Sequence, residues 1–116
     1  MEKNYEVSLL FDFYGELLKP SGRQAIDLYY NEDLSLAEIA VQTGITRQGV
    51  RDSIKRSEQQ LFEFEEKLGL FKRFVQVENG LDEIARLADN ICGCSQNIQI
   101  TELAQSIKKK AGSLKE

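Results

Sequence analysis

Asp33-Leu34-Ser35-Leu36-Ala37-Glu38-Ile39-Ala40-Val41-Gln42-Thr43-Gly44-Ile45-Thr46-Arg47-Gln48-Gly49-Val50-Arg51-Asp52-Ser53-Ile54 is the stretch whose reading decides the fold. Ser35 and Glu38 stand at capping-box spacing, so the hydroxyl meets the amide three residues on and the carboxylate reaches back. Leu36, Ile39 and Ala40 then share one helical face, with Ala40 small where another helix crosses closely. Gly44 supplies the left-handed backbone that ends this helix. Ile45 is expected in the corner, Thr46 caps a second helix, and Val50 and Ile54 point back into the core one turn apart. Two capped amphipathic segments about one glycine read as a helix-turn-helix.

Upstream, Val7, Leu10, Phe11, Tyr14, Leu17 and Leu18 recur at helical spacing and predict a helix over 5–18, ended by Pro20. A further helix is predicted from Ser21 to about Tyr30, carrying Ile26, Leu28, Tyr29 and Tyr30, and broken by Asn31, Glu32 and Asp33. Downstream, Val50, Ile54, Leu61, Phe64, Leu68, Phe71 and Val75 follow one heptad seam whose polar member is Ser57. The second helix of the motif is therefore expected to run toward Leu68 and weaken at Gly69. Asn79-Gly80 reads as a stop before the stripe Leu81, Ile84, Leu87, Ala88 and Ile91. Cys92 to Asn97 reads as loop, a last helix starts at Ile98 or Thr101, and the tail after Ala111 is expected to fray. The prediction is one all-α domain over 1–116: a wingless three-helix helix-turn-helix unit at 21–62, extended by an N-terminal helix, a long recognition helix and C-terminal helices over 63–111.

Composition narrows the function. The chain of 116 residues has a formal charge of −4, which is not the footprint of a non-specific nucleic-acid coat, so any such contact comes from a local patch. It has no histidine and no phosphate-cradling glycine loop, and Cys92 and Cys94 stand too close for the usual zinc spacing. Neighbouring acids such as Glu65-Glu66 diverge around their helix. The expectation is a non-enzyme without metal or cofactor, its two cysteines free thiols in a turn. No run approaches the roughly 20 apolar residues of a membrane span, and the start lacks a signal peptide's order. A cytoplasmic address with no membrane partner is expected.

With Val50 and Ile54 inward, the second helix of the motif presents Arg47, Gln48, Arg51, Asp52 and Lys55 outward. Arginine grips guanine O6 and N7, and glutamine does the same for adenine N6 and N7. Arg23 and Arg56 are placed for phosphates, while Asp52 repels phosphate but accepts from cytosine N4. DNA, or RNA, is the expected partner. The aromatic stripe formed by Phe62, Phe64, Phe71 and Phe74 exceeds what one small core needs. A symmetric homodimer through Phe64, Leu68, Phe71 and Phe74 is therefore expected, with half-sites about 34–36 Å apart. The alternative is a protein-interaction module that keeps the scaffold but binds a partner protein, favoured by the acidic N-terminal helix.

The span from Ser21 to Leu61 resembles the fourth region of bacterial sigma factors, through Arg23-Gln24, Tyr29-Tyr30, Leu34 to Ala40, Gly44, Val50 and Ile54. Most of the chain is similar to the YlxM family of small bacterial helix-turn-helix proteins. The residues that carry this are Leu9 to Gly15, Ser35 to Ala40, Thr46 to Asp52, Ile54-Lys55-Arg56 and Glu66 to Leu70. Gly49 departs from the alanine common in that family, and the likeness fades after Gly69. The resemblance implies an all-helical, sigma-region-like fold and a regulatory part in the signal recognition particle pathway, whose components become candidate partners.

Overall fold

The computed structural model describes residues 3–115, and among them every regular element is helical. The chain divides into two compact units, Met1–Phe71 and Lys72–Glu116.

In the first unit α1 spans Tyr5–Tyr14, started by the Asn4 side chain accepting from the Glu6 amide at 3.0 Å. It stops at Tyr14 and tightens into a 3-10 turn over Gly15–Leu17, so it is shorter than the expected 5–18. Pro20 does not end it. Leu18 and Lys19 are extended, and Pro20 opens α2, Pro20–Ile26, at a first-turn position where a missing N–H costs nothing. The expected continuation to Tyr30 is a π-helical turn over Asp27–Asn31. That wider turn buries Leu28, Tyr29 and Tyr30 in succession, a run that 3.6-residue spacing does not bury on one face. Asp33 then takes a left-handed φ of 56°, its carboxylate held by Lys3 at 2.7 Å.

Helix α3, Leu36–Thr43, forms behind the expected capping box: Glu38 N–H donates to Ser35 Oγ at 3.1 Å, and Ser35 N–H donates to Glu38 Oε1 at 3.0 Å. The Ser35 backbone donor holds the Glu38 carboxyl below the ordinary value. Gly44, at φ 78°, ends it. Helix α4 spans Arg47–Leu68, with Thr46 Oγ accepting from Gly49 N–H at 3.0 Å. Ile45 does not fill the corner. It is 49% exposed, while Ile39 and Val50 are fully buried. The extended Thr46 cap carries Ile45 outward, and its Cδ1 lies over the first turn of α4 near Gly49.

Helices α1, α2 and α3 all pack on α4, and the core is Val7, Leu10, Tyr14, Ile26, Ile39, Val50, Ile54 and Leu61. Ser57, the polar member of the seam, is also buried, because Gly22 of α2 crosses directly against it. A Cβ on Gly22 would fall well inside contact distance of Ser57 Oγ.

The second unit holds most of α5, Leu70–Cys94, and all of α6, Ile98–Ser113. The expected stop at Asn79-Gly80 is not made. One glycine costs a helix about 1 kcal/mol, and here the apolar stripe continues in register on both sides of it. Cys92 to Cys94 belong to the helix, so the loop is Ser95 to Asn97, and both cysteines are free. Asn97 caps α6 at Gln99 and Ile100, and the helix runs past the expected fraying point because Ala111 is buried. Lys108 bridges to Asp89 at 2.8 Å, and Lys115 bridges to Asp82.

Candidate nucleic-acid interface

The candidate face is built by α4. Its inner row, Val50, Ile54, Ser57 and Leu61, is pinned in the core, which fixes the rotation of the helix and leaves the expected set exposed. Arg47, Arg51 and Lys55 follow one another at four-residue steps and form one row. Gln48, Asp52 and Arg56 form the next row round. Arg56 lies nine residues from Arg47, about half a turn away around the axis, so those two do not address one ligand edge-on.

The charges of α4 run against its own dipole. From Arg47 to Arg56 there are four cations and one acid, whereas Glu58, Glu63, Glu65 and Glu66 oppose only Lys67 in the remainder. A helix is stabilised by acids at its N-terminus and bases at its C-terminus, and this one has no acid in its first turn and a single base, Lys67, in its last. Two of the acids have structural partners. The Tyr30 hydroxyl donates to Glu58 and the Tyr14 hydroxyl donates to Glu65, one heptad further along. The arginines have none: among the described residues Arg47, Arg51, Arg23 and Arg56 make no ion pair. Among the described residues the charges of Arg47, Arg51 and Arg56 at the front of α4 serve no ion pair within the fold.

Hydrogen bonding refines the set. Gln48 Nε2 donates to Asp52 Oδ1 at 3.0 Å, which leaves the Gln48 carbonyl oxygen out of that contact and occupies part of the carboxylate. Lys55 lies 3.9 Å from Glu58, a long, half-exposed contact that holds it only weakly. Arg47, Gln48 and Arg51 line a shallow depression with Leu36 of α3, an apolar neighbour that charge patterning had not marked. Arg23 is not brought into this depression. It lines a separate cleft with Phe11, Glu16, Leu18 and Asp27, where two carboxylates share its surroundings. Of the four dimer residues, Phe64 and Phe71 pack against the core of the first unit through Tyr14 and Phe13, while Leu68 and Phe74 are more exposed.

Residues 1–104 match the family model described as "Putative helix-turn-helix protein, YlxM / p13 like". The chain belongs to the UPF0122 family. That match takes in the whole of this helix-turn-helix and its long α4. UPF0122 proteins of three bacteria are similar almost end to end. The one from Desulforamulus reducens is 42% identical, covering 99% of this chain and 92% of its own. The one from Acetivibrio thermocellus is 41% identical over 95% and 94%, and the one from Bacillus velezensis 38% over 94% and 96%. A helix-turn-helix family is consistent with nucleic-acid binding. Among the described residues no helix of this UPF0122 chain is long and apolar enough to cross a membrane, and no group of His, Cys, Asp and Glu is placed to hold a metal.

Proposed function

We propose that the chain is a non-enzymatic, cytoplasmic regulator that binds DNA through the N-terminal half of α4. The observation that carries this is the row Arg47, Arg51 and Lys55, which begins in the first turn of the helix, where the dipole disfavours a cation, and is held outward by a buried inner row. Arg47 and Arg51 read base edges, Gln48 contributes an acceptor held by Asp52, and Lys55, Arg56 and Arg23 meet phosphates. RNA is the competing ligand for the same cations. A place in the signal recognition particle system follows from the family resemblance alone. The helix-turn-helix is read as sigma-region-four-like on the same basis. We also read the chain as a homodimer, with Leu68 and Phe74 the more exposed of the four residues assigned to that contact.

The experiment is selection of bound sequences from random duplex DNA and random RNA at low salt, followed by titration of Arg47→Ala and Arg51→Ala. Each substitution is expected to weaken the selected site by about 1–3 kcal/mol. Unchanged affinity in both variants overturns the reading.

One observation favours the second reading, docking of a partner protein on the same scaffold. Val41, on α3, is 86% exposed, and Ile45 is half exposed one turn-segment later. An exposed apolar pair on the helix-turn-helix suits a protein surface as well as a thymine methyl. Loss of a copurifying protein in Val41→Asp, with DNA affinity unchanged, is the result that would support it.

A further inference from the structure

The α5–α6 hairpin buries only three side chains to below a tenth of their surface, Ala88, Ala104 and Ala111, all small. Its large aliphatic residues stay open: Val77, Ile84, Ile91, Ile100, Ile107 and Leu114 are 41–61% exposed, and Leu103 is 66% exposed. These positions are not scattered. On α5 the sequence places Phe74, Val77, Leu81, Ile84, Ala88 and Ile91 at alternating steps of three and four, and α6 does the same with Ile100, Ala104, Ile107 and Ala111, followed by Leu114 at its C-cap. A 3.5-residue repeat sustained on both helices is the seam of a helix bundle, which two helices alone cover only halfway. The uncovered half is an open groove lined by Leu81 and Ile84 on one side and Leu103, Ile107 and Ala111 on the other, with Lys110 at its rim.

We propose that this face is the interface with a second copy of the chain, two hairpins closing into an antiparallel four-helix bundle with α5 of each against α6 of the other. The proposal rests on the homodimer reading and moves its contact from Phe64, Leu68 and Phe71 to the α5–α6 face, to whose stripe Phe74 belongs. Charge chooses the occupant and the orientation. From Val77 to Cys94, α5 carries Glu78, Asp82, Glu83 and Asp89 against Arg86 alone, while α6 and its tail carry Lys108, Lys109, Lys110 and Lys115 against Glu102 and Glu116. The hairpin already pairs these signs internally, through Lys108 with Asp89 and Lys115 with Asp82. A second hairpin meets the same acidic and basic helices, attractive when α5 faces α6 and repulsive when like helices face each other. Seven large aliphatic side chains on each copy, 41–66% exposed, are available to be covered, and stable interfaces bury on the order of 1,200–2,000 Å² in total.

Sedimentation velocity on the full chain tests it, comparing wild type with Leu103→Glu, Ile107→Glu and Leu68→Glu. Leu103 is mostly exposed in the single chain, so a charge there leaves the monomer's packing intact, and circular dichroism checks the helix content of every variant. A wild-type dimer is expected, weakened about tenfold or more by Leu103→Glu and Ile107→Glu, with Leu68→Glu unaffected. A monomeric wild type overturns both the bundle and the homodimer reading. A dimer that survives the two hairpin variants overturns the bundle alone. If Leu68→Glu then dissociates it, the homodimer stands on its other surface.

Discussion

The Tyr14 hydroxyl donates to Glu65 Oε1 at 2.6 Å and accepts from the Leu70 amide at 2.9 Å, while the same carboxylate oxygen accepts from the Phe71 amide at 3.0 Å. One tyrosine of α1 and one glutamate of α4 thus satisfy the first free amides of α5, which carries no capping side chain of its own. Gly69, at φ 63°, makes the turn that brings those amides back. Tyr14→Phe removes a buried donor to a charged group and leaves an amide without its acceptor. Urea unfolding should show a loss of about 1.5–3 kcal/mol. A loss below about half a kilocalorie would mean the corner is held by packing alone.

Alkaline titration reads the same contacts. Burial, followed by the hydrogen bond to a carboxylate, raises the Tyr14 hydroxyl above its ordinary value near 10, and Tyr30 is raised in the same way against Glu58. For a group raised on folding, the stabilisation is complete below the unfolded value and is lost as pH climbs toward the folded one. Stability should therefore show no loss from these two groups up to about pH 10 and fall above it. The check is the urea midpoint between pH 8 and 11, where the Tyr14→Phe, Tyr30→Phe double variant should show a shallower fall.

Gly22 and Ser57 form a steric pair. Gly22→Ala should destabilise by about 1–3 kcal/mol, since its methyl meets Ser57 Oγ in a packed crossing. Adding Ser57→Ala should restore part of that loss. With the oxygen gone, the nearest Ser57 atom to the new methyl is Cβ at 3.6 Å, an ordinary contact. Strictly additive losses in a double-mutant cycle would show that the crossing adjusts elsewhere.

Salt separates the roles on α4. Lys55→Ala should lower the magnitude of the slope of log affinity against log salt by about 1 and weaken all sequences alike. Arg51→Ala should instead flatten the preference for the selected site. Asp52→Asn keeps an acceptor for Gln48 and removes a negative charge facing phosphate, so binding should tighten several-fold at low salt, an advantage that fades as salt rises. Tightening that persists at high salt would mean Asp52 acts by shape and not by charge.

Much of the helix-turn-helix was readable because its signals are local. Ser35 with Glu38, Gly44 and Thr46 act within four residues of themselves, and each is found in its expected role. The exposed face of α4 was equally legible, because the positions of Val50 and Ile54 dictate what faces away. The failures share another cause. Pro20 carries one local signal with two meanings, and only the backbone of Leu18 and Lys19 decided that it starts a helix. Asn79-Gly80 gives a genuine stop signal, outweighed by a stripe longer than the window in which a turn is read. Ile45 follows the apolar pattern, yet the cap beside it carries it outward.

By itself the sequence determined the capped helices, their glycine turn, the length of α4 and the row of cations it presents. These follow from backbone preferences and a 3.6-residue period. The tertiary structure decided which polar residues are bound to the fold. It buried Ser57 against Gly22, tied Glu58 and Glu65 to tyrosines from distant helices, and kept Arg23 out of the depression that Arg47 and Arg51 line. Such relationships join residues some 30 to 50 positions apart, where no local periodicity reaches and only packing brings the partners together.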